Sequence, residues 1–374
     1  MNRLFVGMDV HKEKIVLFGF PKDGHTPVVR ETFPGEATRV VKRLVKLSRE
    51  WKIEACYEAG PSGYGLARDL VEAGLDCRLV APSLIPRRPG NRVKTDNRDA
   101  LELALALRAG TLAFVRIPSR EEEEVRGLVR CREDIARQAR VLKMTISHWV
   151  FTRGHRLTTG WKRWTPRHWS WLRSLPLSAL ERETLDHYLD MLFLQEERRK
   201  QLEHRICELG DRPEYRERVK RLMALKGFSC LAAMRVIAEV MEFSRFKNAS
   251  SFMKFTGLVP SEYSSSDRIR RGRITKGGNS HLRHVLVEAV QRAHSSVRPG
   301  RGLLKRLQEV SGPLRQVALR CLARLHHKFW ALTRRGVSVG RVRVAMAREL
   351  AGFVWALMVF PAVEVSTAAS LLSG

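Results

Sequence analysis

Over residues 1–110, apolar runs of strand length alternate with segments of helical spacing in an order that few folds accommodate. Residues 4–10 (Leu4-Phe5-Val6-Gly7-Met8-Asp9-Val10) and 14–20 read as strands joined by the turn Val10-His11-Lys12-Glu13, and Thr26 to Thr32 reads as a third. Ala37, Val40, Val41, Leu44, Val45 and Trp51 then fall at helical spacing, which predicts a helix from about Glu36 to Trp51. A strand over 53–58 turns at Gly60-Pro61-Ser62-Gly63 into a helix that reaches Ala73 and stops at Gly74. Asp76 to Val80 is a fifth strand. A helix runs through Leu101 to Leu107. The order is strand, strand, strand, helix, strand, helix, strand, helix.

Carboxylates punctuate that order. Asp9 sits late in the first run, Glu58 ends the fourth strand, and Lys94-Thr95-Asp96-Asn97-Arg98-Asp99-Ala100 opens the last helix. Residues three apart share a helix face, so Asp96 and Asp99 lie roughly 5–6 Å apart at their Cβ atoms. Taken alone, the pair reads as an N-cap and a second acid near the positive end of the helix dipole. With Asp9 and Glu58 upstream, it reads as a cation site. The order of elements is that of the ribonuclease H-like fold, and the acids fall where such a fold would use them, a likeness at fold level only. Oxygen-bearing side chains on one sheet edge suit hard cations such as Mg²⁺, and two ions about 3.5–4 Å apart can clamp the attacking and leaving oxygens of a phosphodiester. Actin-like ATPases also begin with a strand, an acid and a second strand. They need glycine or small hydroxyl residues after the acid, where this chain has Val10-His11-Lys12. His11 and Lys12 could touch phosphate, but as turn residues they read as solvated.

The formal net charge is +29, from 68 Lys and Arg against 39 Asp and Glu, which points to a polyanion. Nucleic acid fits best, because neutralising phosphates with Lys and Arg releases counterions and drives binding. Six cysteines contain no C-x-x-C pair, which argues against a zinc site built on such pairs and against a disulfide framework. The start lacks a signal-peptide pattern, and the apolar run Ala351 to Val359 is too short to span a bilayer, so a soluble, cytoplasmic protein is expected. At 374 residues, two or three domains are expected.

From Glu121 to Val150, the residues Val125, Leu128, Arg132, Ile135, Ala139, Leu142, Ile146 and Trp149 form a heptad seam broken once by Arg132. A second seam runs from Leu185 to Leu209 and is polar in its middle. The two could pair within the chain or between chains. Between them, Trp161, Trp164, Trp169 and Trp171 are interleaved with basic residues. Such aromatics can stack on unpaired bases, but they also pack the tips of helical hairpins. Further on, Leu225-Lys226-Gly227-Phe228-Ser229-Cys230 is reminiscent of a helix-hairpin-helix turn without its usual Gly-x-Gly. In the stretch from Phe255 to Arg283, Ser264, Ser265 and Ser266 sit among Arg268, Arg270, Arg271, Arg273, Lys276 and Arg283. A serine hydroxyl among guanidinium groups could attack a phosphodiester, with the arginines stabilising the phosphorane. The simpler reading is a polar loop that hydrogen-bonds phosphate.

Together these features resemble the insertion-sequence transposases of the "one-ten" family, the DEDD recombinases that include the Piv-type invertases. The N-terminal marks are Gly7 to Lys12, Glu58 to Gly63 and Lys94 to Ala100. The C-terminal marks are Gly257-Leu258-Val259-Pro260, the serine cluster, Gly272 to Asn279, Leu282-Arg283 and Val344 to Leu357. The resemblance implies an α/β plus α architecture: a RuvC-like (ribonuclease H-like) DEDD domain at 1–118, a helical coiled-coil linker at 119–211 and a mainly helical transposase domain at 212–374. It implies that Asp9, Glu58, Asp96 and Asp99 bind Mg²⁺ and that one serine joins DNA covalently. Aligning on Pro260 and Gly272 puts Ser265 at that position, with Ser264 and Ser266 as alternatives, because Ser266 stands where the family usually has glycine.

The expected activity is a Mg²⁺-dependent DNA recombinase acting on element ends and target as a dimer or, in synapsis, a tetramer. The resemblance further implies a non-coding bridge RNA, so that base pairing chooses the sites while Arg268, Arg270, Arg271, Arg273, Lys276 and Arg283 hold backbones. Two other readings are a RuvC-like endonuclease or resolvase cutting by two-metal hydrolysis, and a non-enzymatic nucleic-acid-binding assembly protein.

Overall fold

The protein is described by a computed structural model covering residues 2–82, 85, 96–158, 160–265 and 268–360, with backbone only for 263–265 and 268–271. It divides into two compact units, Met1–Ser119 and Arg120–Gly374. The first is an α/β unit with one mixed sheet. Its strands are β1 (Asn2–Val10), β2 (Lys14–Pro21), β3 (Val29–Pro34), β4 (Trp51–Glu58), β5 (Asp76–Val80) and β6 (Phe114–Val115), in the spatial order β3-β2-β1-β4-β5-β6. β1 pairs antiparallel with β2 and parallel with β4, and β4 pairs parallel with β5.

β1 is apolar at every position from Leu4 to Met8 except Gly7 because both of its faces are covered. Leu4, Val6 and Met8 meet Val40 and Leu44 of α1 (Ala37–Leu47) and Leu66 and Leu70 of α2 (Gly65–Glu72). On the opposite face lies α3 (Asp96–Arg108), whose Leu103 and Leu107 cluster with Phe5, Cys56 and Val80. The expected order of elements is present. The third strand starts three residues later than its sequence pattern suggests, and Trp51 opens β4, paired with Asn2, rather than closing α1. β6, two residues antiparallel to β5, carries too short a pattern to be read from sequence.

The second unit is mostly helical. Its longest elements are α4 (Arg120–Thr152) and α6 (Ala179–Gly210), which pair within the chain as an antiparallel hairpin. At the far end, Ala139, Ile146 and Val150 pack on Leu185, Leu189 and Leu192. At the near end, Val125 and Val129 join Ile206 and Leu209 in the main core. The polar breaks in the two seams meet each other: Glu203 receives hydrogen bonds from both Arg132 (2.9 Å, Nε) and Arg199 (2.6 Å, Nη1). The tip holds α5 (Pro166–Arg173), and Trp164, Trp169 and Trp171 pack against the hairpin, the ordinary use of tryptophan there.

The remaining helices are α7 (Pro213–Met223), α8 (Cys230–Val240), α9 (Ala249–Phe255), α10 (Ser280–Ala289), α11 (Arg301–Gln308), α12 (Gly312–Arg334) and α13 (Val339–Val359). Of these, α7, α9, α10 and α12 pack against α13, whose second half is buried on nearly all sides, from Leu350 to Trp355. That explains the late apolar run: it is a core helix, and no helix among the described residues is long and apolar enough to cross a membrane. In the α7–α8 turn, Gly227 (φ +96°) lies against the Ala289 carbonyl, so its lack of a side chain serves internal packing. A two-stranded hairpin, β7 (Pro260–Ser265) and β8 (Arg268–Ile274), projects between α9 and α10.

Candidate functional site

In the first unit the position of the acids follows from one glycine. Side chains alternate along a strand, so Phe5, Gly7 and Asp9 of β1 face α3. At Gly7 the helix backbone lies flush on the strand: a Cβ there would sit 2.3 Å from both the Ala100 oxygen and the Ala104 nitrogen. This approach brings the first turn of α3 beside the end of β1. As a result, a carboxylate oxygen of Asp9, one of Asp96 and a ring nitrogen of His11 lie within 4.8 Å of one another. Among the described residues this is the one group of three or more such side chains with metal-ligand spacing.

Asp9 is nearly buried, with its side chain 14% exposed. Burial raises its carboxyl pKa; His11 opposes the rise, and the neighbouring Asp96 and Asp99 add to it. His11 Nε2 lies 3.1 Å from Asp9 Oδ2 and 3.8 Å from Asp96 Oδ1. Lys14, at the start of β2, places its Nζ 2.5 Å from Asp96 Oδ2 and holds that carboxyl below its usual range. The Lys14 ammonium and the His11 ring therefore stand where carboxylates crowd together. The donor chemistry fits a divalent ion: the carboxylate oxygens of Asp9 and Asp96 suit a hard cation, and His11 fits better as a hydrogen-bond partner orienting Asp9.

The other two expected ligands stand outside that group. Glu58 is exposed at the end of β4, one position beyond the Met8–Tyr57 pair, so the parallel register sets it alongside Asp9. Asp99 lies one turn into α3, close enough to influence Asp9 electrostatically. Lys94 and Thr95 lie outside the described residues. The sequence does not single out Gly7 or Lys14 as members of the site, and it offers His11 only as a turn residue that could touch phosphate. The available signal was position: His11 follows Asp9 by two residues, and Lys14 begins the strand paired with β1.

In the second unit, the backbones of Ser264 and Ser265 occupy the last two positions of β7, paired with Ile269 and Arg268. Ser266 lies outside the described residues, as do the side chains of Ser264, Ser265, Arg268, Arg270 and Arg271. Arg273 and Lys276 are exposed. Arg283 turns inward instead: its Nη1 donates to the Thr256 carbonyl (3.1 Å), and burial lowers its pKa. The strand hairpin is anchored at its base. Thr275 N–H donates to Val259 O (2.9 Å), Lys276 N–H to Gly257 O (3.1 Å) and Asn279 N–H to Phe255 O (3.0 Å). Asn279 caps α10 by accepting from Leu282 N–H (2.9 Å), and its amide donates to the buried Glu239 (2.6 Å). Glu239 is held in turn by two bonds from Arg130 (2.8 and 2.9 Å).

Comparison with known proteins places the chain in a family. Residues 6–150 match a DEDD transposase family model of the IS110 type, and residues 219–302 match the model described as transposase IS116/IS110/IS902 family. The chain is 37% identical over 356 residues to y4qE of Sinorhizobium fredii, named as a transposase; the match covers 94% of this chain and 88% of that one. It is 31% identical over 258 residues to the transposase for insertion sequence element IS1533 of Leptospira borgpetersenii, covering 68% and 75% of the two chains. It is 24% identical over 364 residues to the transposase for insertion sequence element IS1111A of Coxiella burnetii, covering 94% and 89%. The family implies DNA as a partner and suggests use of a divalent metal, for which the Asp9 and Asp96 carboxylates are suited donors. With 37% identity to one transposase across 94% of its length and matches to both family models, this chain belongs to the IS110 family of DNA transposases.

Proposed function

We propose that this chain recombines DNA through a covalent serine intermediate, with Asp9, Glu58, Asp96 and Asp99 holding Mg²⁺ and Ser265 as the nucleophile. The observation that carries the metal half is the meeting of Asp9 and Asp96 in a partly buried place where the Asp9 carboxyl is raised by burial and by its acidic neighbours. Removing such carboxylates from water is costly unless a cation offsets it. A divalent cation bound there would supply charge neutralisation on the scissile phosphate. Residues 1–118 would form the metal-binding domain, 119–211 a helical linker and 212–374 the domain that carries the serine.

In the covalent step the Ser265 oxygen bonds to phosphorus while the bond from phosphorus to one deoxyribose oxygen breaks, and the serine proton ends on the departing sugar hydroxyl. A hydroxyl from another strand reverses the step. The phosphodiester energy is conserved, so joining needs no external energy source. Arg268, Arg270, Arg271, Arg273 and Lys276 would hold the backbone and stabilise the phosphorane. Site choice would come from a bridge RNA paired to donor and target, within a dimer or tetramer.

The test is strand exchange on element-end and target DNA with Mg²⁺ and the RNA transcribed beside the gene. Asp9→Ala and Asp99→Ala are expected to abolish exchange while leaving the melting transition cooperative. Full activity in either variant removes the metal-site reading.

A further inference from the structure

Below the hairpin that carries the serines, the helical unit contains a groove of about 790 Å³ that shares Arg273 and Lys276 with the proposed chemistry and is otherwise unused by it. It runs between the base of the β7–β8 hairpin and the first half of α13. Its floor is apolar, with Pro260, Ile274, Val344 and Ala345 over the buried Leu258. Its rim carries four cations, Arg273, Lys276, Arg341 and Arg348. Among the described residues none of the four has a carboxylate partner, although elsewhere in this unit arginines are repeatedly paired, as Arg130 is with Glu239. Lys276 is held in the left-handed region (φ +54°), which glycine favours, and its N–H bonds the Gly257 carbonyl. This conformation is costly for a side-chain-bearing residue, and here it is fixed at the groove's rim.

An apolar floor with an unpaired cationic rim suits a ligand with a flat apolar face and phosphates at its edge. A duplex offers its outer surface as phosphates and sugars, which would satisfy the rim and leave the floor uncovered. An unpaired nucleotide offers both: the base can lie on the aliphatic floor while flanking phosphates meet the rim. The volume is within the range of pockets that take small organic ligands, about 300–1,000 Å³. We propose that this groove binds an unpaired nucleotide of a DNA or RNA strand, base on the floor and phosphates on Arg273, Lys276, Arg341 and Arg348.

The groove adjoins Pro260, at the opposite end of β7 from Ser265, and five residues of extended strand span about 17 Å. A strand seated in the groove would thus reach the serine end of the hairpin within a few nucleotides. The assignment of a role to that end rests on the proposed function; the groove's occupancy does not.

The experiment measures binding of the full chain to short labelled single strands, DNA and RNA, each in an ordinary and an abasic form of equal length and charge. Wild type is expected to prefer the ordinary strand by about tenfold, the order expected when a base covers roughly 50–60 Å² of apolar floor. Ala345→Gln, which puts a polar side chain on the floor, is expected to bring the preference close to parity with the salt dependence retained. Val344→Asp, which puts a carboxylate on the same floor, is expected to do the same and is read in its place if Ala345→Gln melts abnormally. Arg341→Glu is expected to weaken ordinary and abasic strands alike. Whichever strand loses its preference in the floor variants, DNA or RNA, is the occupant. Equal binding of ordinary and abasic strands by wild type, or an undiminished preference in the floor variants, overturns the proposal. Ser265→Ala is expected to keep the base preference, so loss of the covalent chemistry and loss of the groove are read separately.

Discussion

At Gly7 a single methyl group separates a strand with a helix seated on it from one that must hold the helix off. A Cβ there would sit 2.3 Å from backbone atoms of Ala100 and Ala104, which cannot rotate away as a side chain can. Gly7→Ala is therefore expected to destabilise the first unit by about 2–3 kcal/mol and to weaken divalent-ion binding as Asp96 withdraws from Asp9; urea melts and a metal titration of the same variant check both. Glu239 gives a second case. Burial alone would raise its carboxyl pKa, but the bonds from Arg130 and Asn279, with the charges of Arg130 and His281, outweigh burial and lower it. A carboxyl depressed in the folded state stabilises the fold above its unfolded pKa, about 4.3, and loses that contribution as pH falls through the folded value. Stability of the helical unit should therefore decline as pH drops below about 4.5. Glu239→Gln should flatten that decline and cost about 3 kcal/mol at neutral pH. Thermal melts across pH test this, and an unchanged acid limb in the variant would contradict it.

The elements of the first unit were legible because two periodicities dominate it: unbroken apolar runs for strands covered on both faces, and i, i+3, i+4 spacing for α1 and α3. What was not legible depended on partners distant in sequence. Phe114 and Val115 are a strand only because β5 lies beside them, and Trp51 is drawn from helix to strand by pairing with Asn2. The same limit applied to the site. Asp9 and Asp96 could be named from their places on elements, but His11 and Lys14 join them only once β1, β2 and α3 are assembled. In the long hairpin, Arg132 read as a flaw in one seam and the middle of α6 as a flaw in the other, and together they form a polar layer around Glu203. Glu203→Ala leaves the 15%-exposed Arg132 without this partner. It is expected to cost about 2 kcal/mol, read by denaturant unfolding; no change would mean that the layer contributes nothing to the hairpin.

For the whole molecule, a net charge of +29 should appear as salt dependence. With six to ten phosphates engaged, affinity for DNA is expected to fall about 10³–10⁵-fold between roughly 50 and 200 mM salt; salt-insensitive binding would refute the backbone-gripping role of the basic residues. Family membership makes the chain a transposase; beyond that, the proposed mechanism has a serine, rather than metal-activated water alone, break and remake the strand. The most direct measurement is a denaturing gel of reactions containing Mg²⁺, element-end and target DNA and the adjacent RNA, run with wild type and Ser265→Ala. A protein–DNA adduct and joined product are expected for wild type, and neither for Ser265→Ala. Cleavage by Ser265→Ala with no adduct from either protein would contradict it and leave the carboxylates acting by hydrolysis.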